Sequence, residues 1–586
     1  MSTSTSGEAA HSSPTRLLAR VGRRGGAWVV VLAVNVVVLT IAETALPTVM
    51  GRTIDDVIDR QPTGYWWSWT ALVIGVLILS DVTDELGSTA AAARSTSWLR
   101  RTTVRHLLGA RLGSVERLTP GELATRLVGN TEDAGAVGPD VVNGIASIVL
   151  ASAGVVALAL IDPWLCVTFV AGLPMLTFIL YAFAKDSSAL NASYLETQGV
   201  IASRLVQALQ GARTIAAAGT AETETRRVLA PLEDLHRQGK GVWRAQRRVT
   251  AQDTLLVALL EIAVLAVAGI EVGRGRISPG QLFAASQYVV LAATFGSASS
   301  SLAGLIRERA AVARVGDLLD LAAVDYGSAA LPPGPGRLEL RQVTRRIGER
   351  VVLDRIDLVI PGGSLVAVVG RSGAGKSQLA RVAGRLVDPD EGVVLLDGVP
   401  LTDLDRTSLR EAIGYGFERP VLFGDTVSDT IGFGTHRPPD HEVRTAARQA
   451  LADDFIRHLP DGYRTPLGRA PMSGGEVQRI GLARTFSHAS RVMVLDDVAA
   501  SLDTVTEHEI SRALTDALAD RTRILVAHRV STAARADLVA WLDDGRLVGL
   551  APHHELWRHE AYRAVFEAAP DGTSSVAVAA GVGEAP

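Results

Sequence analysis

Apolar runs long enough to cross a lipid bilayer are confined to the first half of this chain. They cover about Ala27–Met50, Trp67–Ala90, Val141–Ile161, Pro163–Ala184, Thr254–Gly273 and Gln281–Ile306, each near the ~20 residues that a helix needs to traverse hydrocarbon. The expected fold of residues 26–325 is therefore an all-α six-helix transmembrane bundle. The first run is too long for a secretory leader, whose apolar core is only ~7–15 residues. A mean hydropathy of +0.23 agrees with apolar surface facing lipid, and a net charge of only −4 gives no sign of a nucleic-acid partner. With 586 residues the chain also exceeds one domain of the usual ~100–200.

Arginine fixes the expected orientation. The basic arm 1–25, the segments from Arg94 to Arg126 and from Lys185 to Arg248, and Arg307, Arg309 and Arg314 all fall on one side of six spans. Positive charge marks the cytoplasmic face, so both termini are expected in the cytoplasm and the chain in the cytoplasmic (inner) membrane. Outside connections are short, Ile161-Asp162-Pro163 being almost a bare turn, while the two inside connections run for tens of residues with helical periodicity. They read as spanning helices that continue into the cytoplasm, with a separate soluble insertion as the other option. The arm 1–25 is expected to be disordered.

After Leu321 the apolar spans stop, and Pro- and Gly-rich residues within 326–336 read as a linker. Strand-like runs at Leu338–Val343, Leu365–Val369, Gly392–Leu396, Val492–Leu495 and Ile524–Ala527 alternate with helical segments, so residues 337–568 form an α/β domain. The small, polar tail 569–586 is expected to be disordered. The single cysteine, Cys166, excludes an internal disulfide and any Cys-cluster metal site.

The strand Leu365–Val369 runs into Gly370-Arg371-Ser372-Gly373-Ala374-Gly375-Lys376-Ser377, a complete phosphate-binding loop opening a helix. Its glycines let backbone N–H groups wrap phosphates, Lys376 supplies a point charge, and the Ser377 hydroxyl can ligate Mg²⁺. Lysine otherwise occurs only at Lys185 and Lys240, so its retention here argues that arginine's planar fork does not serve at this position. A second apolar strand, Val492–Leu495, ends in Asp496, placed to hold the Mg²⁺ water shell, and Asp497 follows. ATP and Mg²⁺ are the expected ligands.

Met472-Ser473-Gly474-Gly475-Glu476-Val477-Gln478-Arg479 resembles the signature of the ATP-binding cassette family. Ala500-Ser501-Leu502-Asp503 and His528 resemble its D-loop and switch histidine, in family order. The resemblance covers the whole chain and implies an exporter-type half-transporter whose cassettes close head-to-tail on two ATP molecules. Ser473, Gly474, Gly475 and Asp503 would then serve ATP held on a partner's loop, with Asp497, His528 and Glu418 catalytic and Ser377, Glu418 and Asp496 around Mg²⁺. Segments 121–131 and 210–222 resemble the short helices that dock on cassettes.

Four positions depart from the family pattern. Val343-Thr344-Arg345-Arg346-Ile347 lacks the aromatic that stacks on adenine, Glu418 replaces a glutamine, Asp497 replaces the catalytic glutamate, and Glu476 ends the signature. The first three weaken the site built on Lys376 while the signature reads as serviceable, and this asymmetry favours a heterodimer with a second half-transporter. The bland alternative is a homodimer in which Asp497 simply works. Glu43 and Glu261, charged within spans, are candidates to meet cargo or to pair with a neighbouring helix. The cargo itself is unspecified, and two rival activities share the layout: an importer such as a siderophore importer, and a nucleotide-gated regulator.

Overall fold

The computed structural model describes residues 14–61, 64–498 and 504–567, with backbone alone at 14, 175–192, 249, 252–253, 295–303 and 504. The chain forms two compact units, one built from the residues up to Gly109 with Leu118–Leu321, the other from Ala110–Arg117 with the residues from Ala322 onward.

In the first unit the helices Ala27–Ile58, Gly64–Gly109, Val137–Ile161, Pro163–Gln210 and Leu232–Gly273 outrun their apolar windows. The 46 residues of Gly64–Gly109 rise about 70 Å at 1.5 Å each, more than twice the hydrocarbon thickness. The long inside segments thus continue spanning helices. Among the described residues, four stretches are long and apolar enough to cross a membrane: Ala27–Ile58, Gly64–Gly109, Pro120–Ile161 and Thr254–Gly273. Pro163–Pro174 is a shorter apolar start to its helix.

Two expectations need correction here. The run 281–306 is not one helix but two, Pro279–Ala293 and Phe295–Leu319. They meet at Thr294, where backbone and hydroxyl both bond Leu291 O, at 3.2 and 2.7 Å, and tighten the turn to i→i+3. The arm 1–25 is not disordered throughout, because Pro14–Arg24 is helical. Leu17 and Val21 on its apolar face are buried against Leu99, Val137, Val312 and Val315. Residues 1–13 and 568–586, which include the expected tail, lie outside the described residues.

Spanning helices meet through small and polar residues, as lipid supplies no apolar contrast between them. A Cβ on Gly280 would lie 1.9 Å from Gly51 O, so two backbones touch there. Asp55 accepts from Gly280 N at 2.7 Å and from Ser278 Oγ at 2.5 Å. Tyr288 donates to Thr44 O at 2.6 Å, and Asn35 donates to Ser80 O at 3.0 Å. Glu43 and Glu261 are half-buried, and neither forms an ion pair with a described residue.

The second unit is built on two sheets. Strands β1 (Leu338–Ile347), β2 (Arg350–Ile360), β4 (Glu391–Leu396) and β5 (Val399–Pro400) form an antiparallel sheet in the order β2-β1-β4-β5. The other sheet combines β3 (Leu365–Val369), β6 (Ile413–Gly416), β7 (Val492–Leu495), β8 (Thr522–Val526), β9 (Leu538–Asp543) and β10 (Arg546–Ala551). Its order is β10-β9-β3-β8-β7-β6, parallel from β9 to β6. A strand buried on both faces reads as a continuous apolar run, and β3 divides its side chains between two cores. Leu365, Ala367 and Val369 join Phe486, Met493 and Trp541, whereas Val366 and Val368 join Leu340, Val494 and Ile524.

The expected linker 326–336 is laid along this unit rather than free. Gly327 N and Ala329 N donate to Thr402 O and Asp403 O, and Asp405 N donates back to Ala329 O, each at 2.9 Å. The Arg385 guanidinium lies 5.1 Å from the Tyr326 ring centre. Segment 110–117, with its short helix Leu112–Val115, belongs to the same unit: Arg111 N donates to Ala322 O at 2.8 Å and Glu116 pairs with Arg381 at 3.2 Å. The docking stretch expected at 121–131 thus lies in the first unit, and the part of that extension held by the nucleotide-binding unit is 110–117. The stretch expected at 210–222 also lies in the first unit.

Candidate nucleotide site

Local backbone chemistry shapes the loop between β3 and the helix Lys376–Ala383. Gly373 and Gly375 take φ of +82° and +99°, which residues with a Cβ rarely adopt. A Cβ on Gly370 would fall 2.3 Å from Leu542 O. Ala374 is buried, while Arg371 and Ser372 are exposed at the loop's crown. Lys376 folds back over its own loop, donating to Gly370 O at 2.9 Å and Arg371 O at 3.1 Å. Burial pulls its ammonium below the usual lysine range, and the carboxylates of Asp497 and Asp496 oppose that pull.

Beside the loop, Ser377 Oγ donates to Asp496 Oδ1 at 3.0 Å, and Tyr415 OH donates to Asp496 Oδ2 at 3.2 Å. Burial, then the adjacent Asp496 charge, drives the Tyr415 phenol far above its ordinary range, so it remains a donor. Ser377 and Asp496 are hard oxygen donors at one point and fit Mg²⁺, whose remaining sites go to water and phosphate. Glu418, the third expected ligand, has a side chain 53% exposed, with Arg419 3.6 Å away.

Asp497, the residue after Asp496, stands at φ +50°, in the left-handed region. Its Oδ2 lies 3.7 Å from Nε2 of His528. Burial raises the Asp497 carboxyl above the usual aspartate range; His528 and Lys376 act against this, Glu418 and Asp496 with it. The structure therefore gathers Lys376, Ser377, Asp496, Asp497 and His528 at the C-terminal ends of the inner strands β3, β7 and β8, with Glu418 near enough to be felt. Asp503 lies outside the described residues.

Ser473 caps the helix Gly474–His488. It is tied to Glu476 three residues on, and no hydrogen bond or ion pair among the described residues joins Ser473, Gly474 or Gly475 to the phosphate loop. Ile347, where the family aromatic is absent, ends β1 and is 53% exposed. Sequence reasoning missed Tyr415, three residues before Glu418; an aromatic hydroxyl inside an apolar strand is the signal that marks it. It also missed Gln478, which is buried and donates to Glu418 O at 3.4 Å.

Two family descriptions match in tandem: an ABC transporter transmembrane region over residues 29–295 and an ABC transporter domain over 353–500. The chain is 45% identical over 546 residues to the ABC transporter ATP-binding protein RamA of Streptomyces coelicolor, covering 93% of this chain and 86% of that one. It is 27% identical to the ATP-dependent lipid A-core flippase of Escherichia coli, covering 91% and 94%. It is 30% identical to the multidrug efflux ATP-binding/permease protein Rv0194 of Mycobacterium tuberculosis, covering 92% of this chain but 46% of that one. Among solved structures, a bacterial Atm1-family ABC exporter with ATP bound superposes with a TM-score of 0.77 at 24% identity, over 94% of this chain and 99% of that one.

Proposed function

Since this chain belongs to the ATP-binding cassette transporter family and is a membrane ATPase, we propose that it is an exporter subunit. It moves a small molecule, lipid or peptide out across the cytoplasmic membrane as one half of a dimer. What supports export is likeness along nearly the whole length to relatives named as a flippase and an efflux permease. The observation that carries ATP-driven action is the meeting of Lys376, Ser377, Asp496, Asp497 and His528 at the C-terminal ends of β3, β7 and β8.

In this reading the loop from Gly370 to Ser377 binds the phosphates, and Ser377 and Asp496 hold Mg²⁺ with Glu418 at its rim. Bound there, Mg²⁺ neutralises phosphate charge. Asp497 takes a proton from the attacking water and His528 steadies the charge that develops at the γ-phosphate. The partner supplies Ser473, Gly474 and Gly475 equivalents, and Asp503 of this chain serves the partner's nucleotide. Closing on ATP turns the helix bundle outward, and hydrolysis resets it. Both termini lie in the cytoplasm.

A heterodimer is the favoured assembly, because the stretch 343–347 without an aromatic, Glu418 and Asp497 all belong to the Lys376 side of the site in this reading. The test is transport in vesicles with cassettes outside: ATP should drive cargo into the lumen, and Lys376→Ala should abolish the flux. Flux in the opposite sense would mean an importer. Absence of any cargo-stimulated ATPase would mean a nucleotide-gated regulator.

A further inference from the structure

Glu476 makes three bonds with the residue that opens the signature helix. Ser473 N–H donates to Glu476 Oε2 at 2.7 Å, Ser473 Oγ donates to the same oxygen at 2.9 Å, and Glu476 N–H returns to Ser473 Oγ at 3.4 Å. This is a closed capping box at the start of a helix of 15 residues. Helix capping alone does not call for a charge, because glutamine at this position closes the same box. What the carboxylate adds is a full negative charge on the donors at the positive end of the helix. No described Lys, Arg or His forms an ion pair with Glu476.

From this geometry we infer that Glu476 gates the signature, its carboxylate holding the Ser473 donors that an incoming γ-phosphate must take. The inference rests on the proposed reading, in which Ser473, Gly474 and Gly475 meet ATP offered by the partner's phosphate loop. A phosphate arriving there competes with an anion already bonded to the Ser473 hydroxyl and amide, and is repelled by it. Closure at this signature therefore requires Glu476 to swing off Ser473, and the ATP level at which the cassettes close is set partly by that release. The site served by this chain's signature is thus restrained as well, by a different means from the site built on Lys376.

The experiment uses the full-length transporter, co-purified with whatever partner it assembles with, in nanodiscs and with hydrolysis arrested at both sites by Asp497→Asn together with neutralisation of the partner's own catalytic carboxylate. The reading is the ATP concentration giving half-maximal closure, from the distance between spin labels on the two cassettes. Glu476→Gln should lower it about threefold to tenfold, as expected on removing one charge-assisted competitor, and rising salt should shrink the gain. Glu476→Ala, which also loses the box, should gain less and melt at a lower temperature. An unchanged or higher midpoint for Glu476→Gln, with closure lost only in Glu476→Ala, would reduce Glu476 to a helix cap and overturn the inference. If no variant closes on ATP, the head-to-tail reading fails, and the gate with it.

Discussion

In the proposed reading, Asp497 carries most of the chemistry that distinguishes this chain. Its carboxyl is one methylene shorter than glutamate and hangs from a backbone at φ +50°, yet reaches within 3.7 Å of His528. A base displaced by ~1 Å can lose ~10²-fold. Asp497→Glu should therefore raise steady-state ATPase at this site ~10-fold, measured with the partner's own catalytic carboxylate neutralised. No gain, alone or with Glu418→Gln, would remove the main support for a heterodimer. His528→Ala should depress turnover while leaving ATP-driven closure intact, because a group at the γ-phosphate acts mainly in the transition state; loss of ATP binding itself would contradict that role. Lys376, Ser377, Asp496 and His528 were legible because each sits in a motif whose spacing implies its place. Tyr415 was not, since its bond to Asp496 joins residues far apart in sequence and depends on β6 lying beside β7.

At the scale of elements, the helix Gly474–His488 links the signature to the core. Phe486 near its end is 2% exposed and packs with Leu365, Met493 and Trp541. Phe486→Ala should cost about 3–5 kcal/mol through lost burial and the cavity left behind, seen as a lower melting temperature of the solubilised protein. A melting curve matching that of the unsubstituted chain would mean that the core collapses to fill the gap. Strands β3 and β7 were readable as apolar runs; β10 was missed because an antiparallel edge strand with one exposed face leaves only a short alternation, and β9 was missed although Leu538–Leu542 is itself an apolar run. That the spanning helices outrun their apolar windows was legible instead in the helical periodicity of the inside segments. Hydropathy reports where lipid ends, not where the helix ends, and Gly64–Gly109 continues as polar helix past that point. The break at Thr294 carries no proline, so no strong sequence signal announced it.

At the scale of the molecule, the division into helical and α/β halves was plain from composition, but not that the chain enters the nucleotide-binding unit twice, first as 110–117 and again from Ala322. Hydrogen bonds from Gly327 and Ala329 to Thr402 and Asp403, with Tyr326 against Arg385, fasten the entering strand before the exposed prolines at 332–335 are reached. A protease site engineered between Pro332 and Pro335 should accordingly nick the backbone without shedding the cassette. The two fragments should co-elute in size-exclusion chromatography under native conditions and part only in denaturant, and prompt release of a free cassette would refute this. The covalent joint between the halves is then dispensable once folding is complete, and the gene is open to being split there into two co-expressed reading frames.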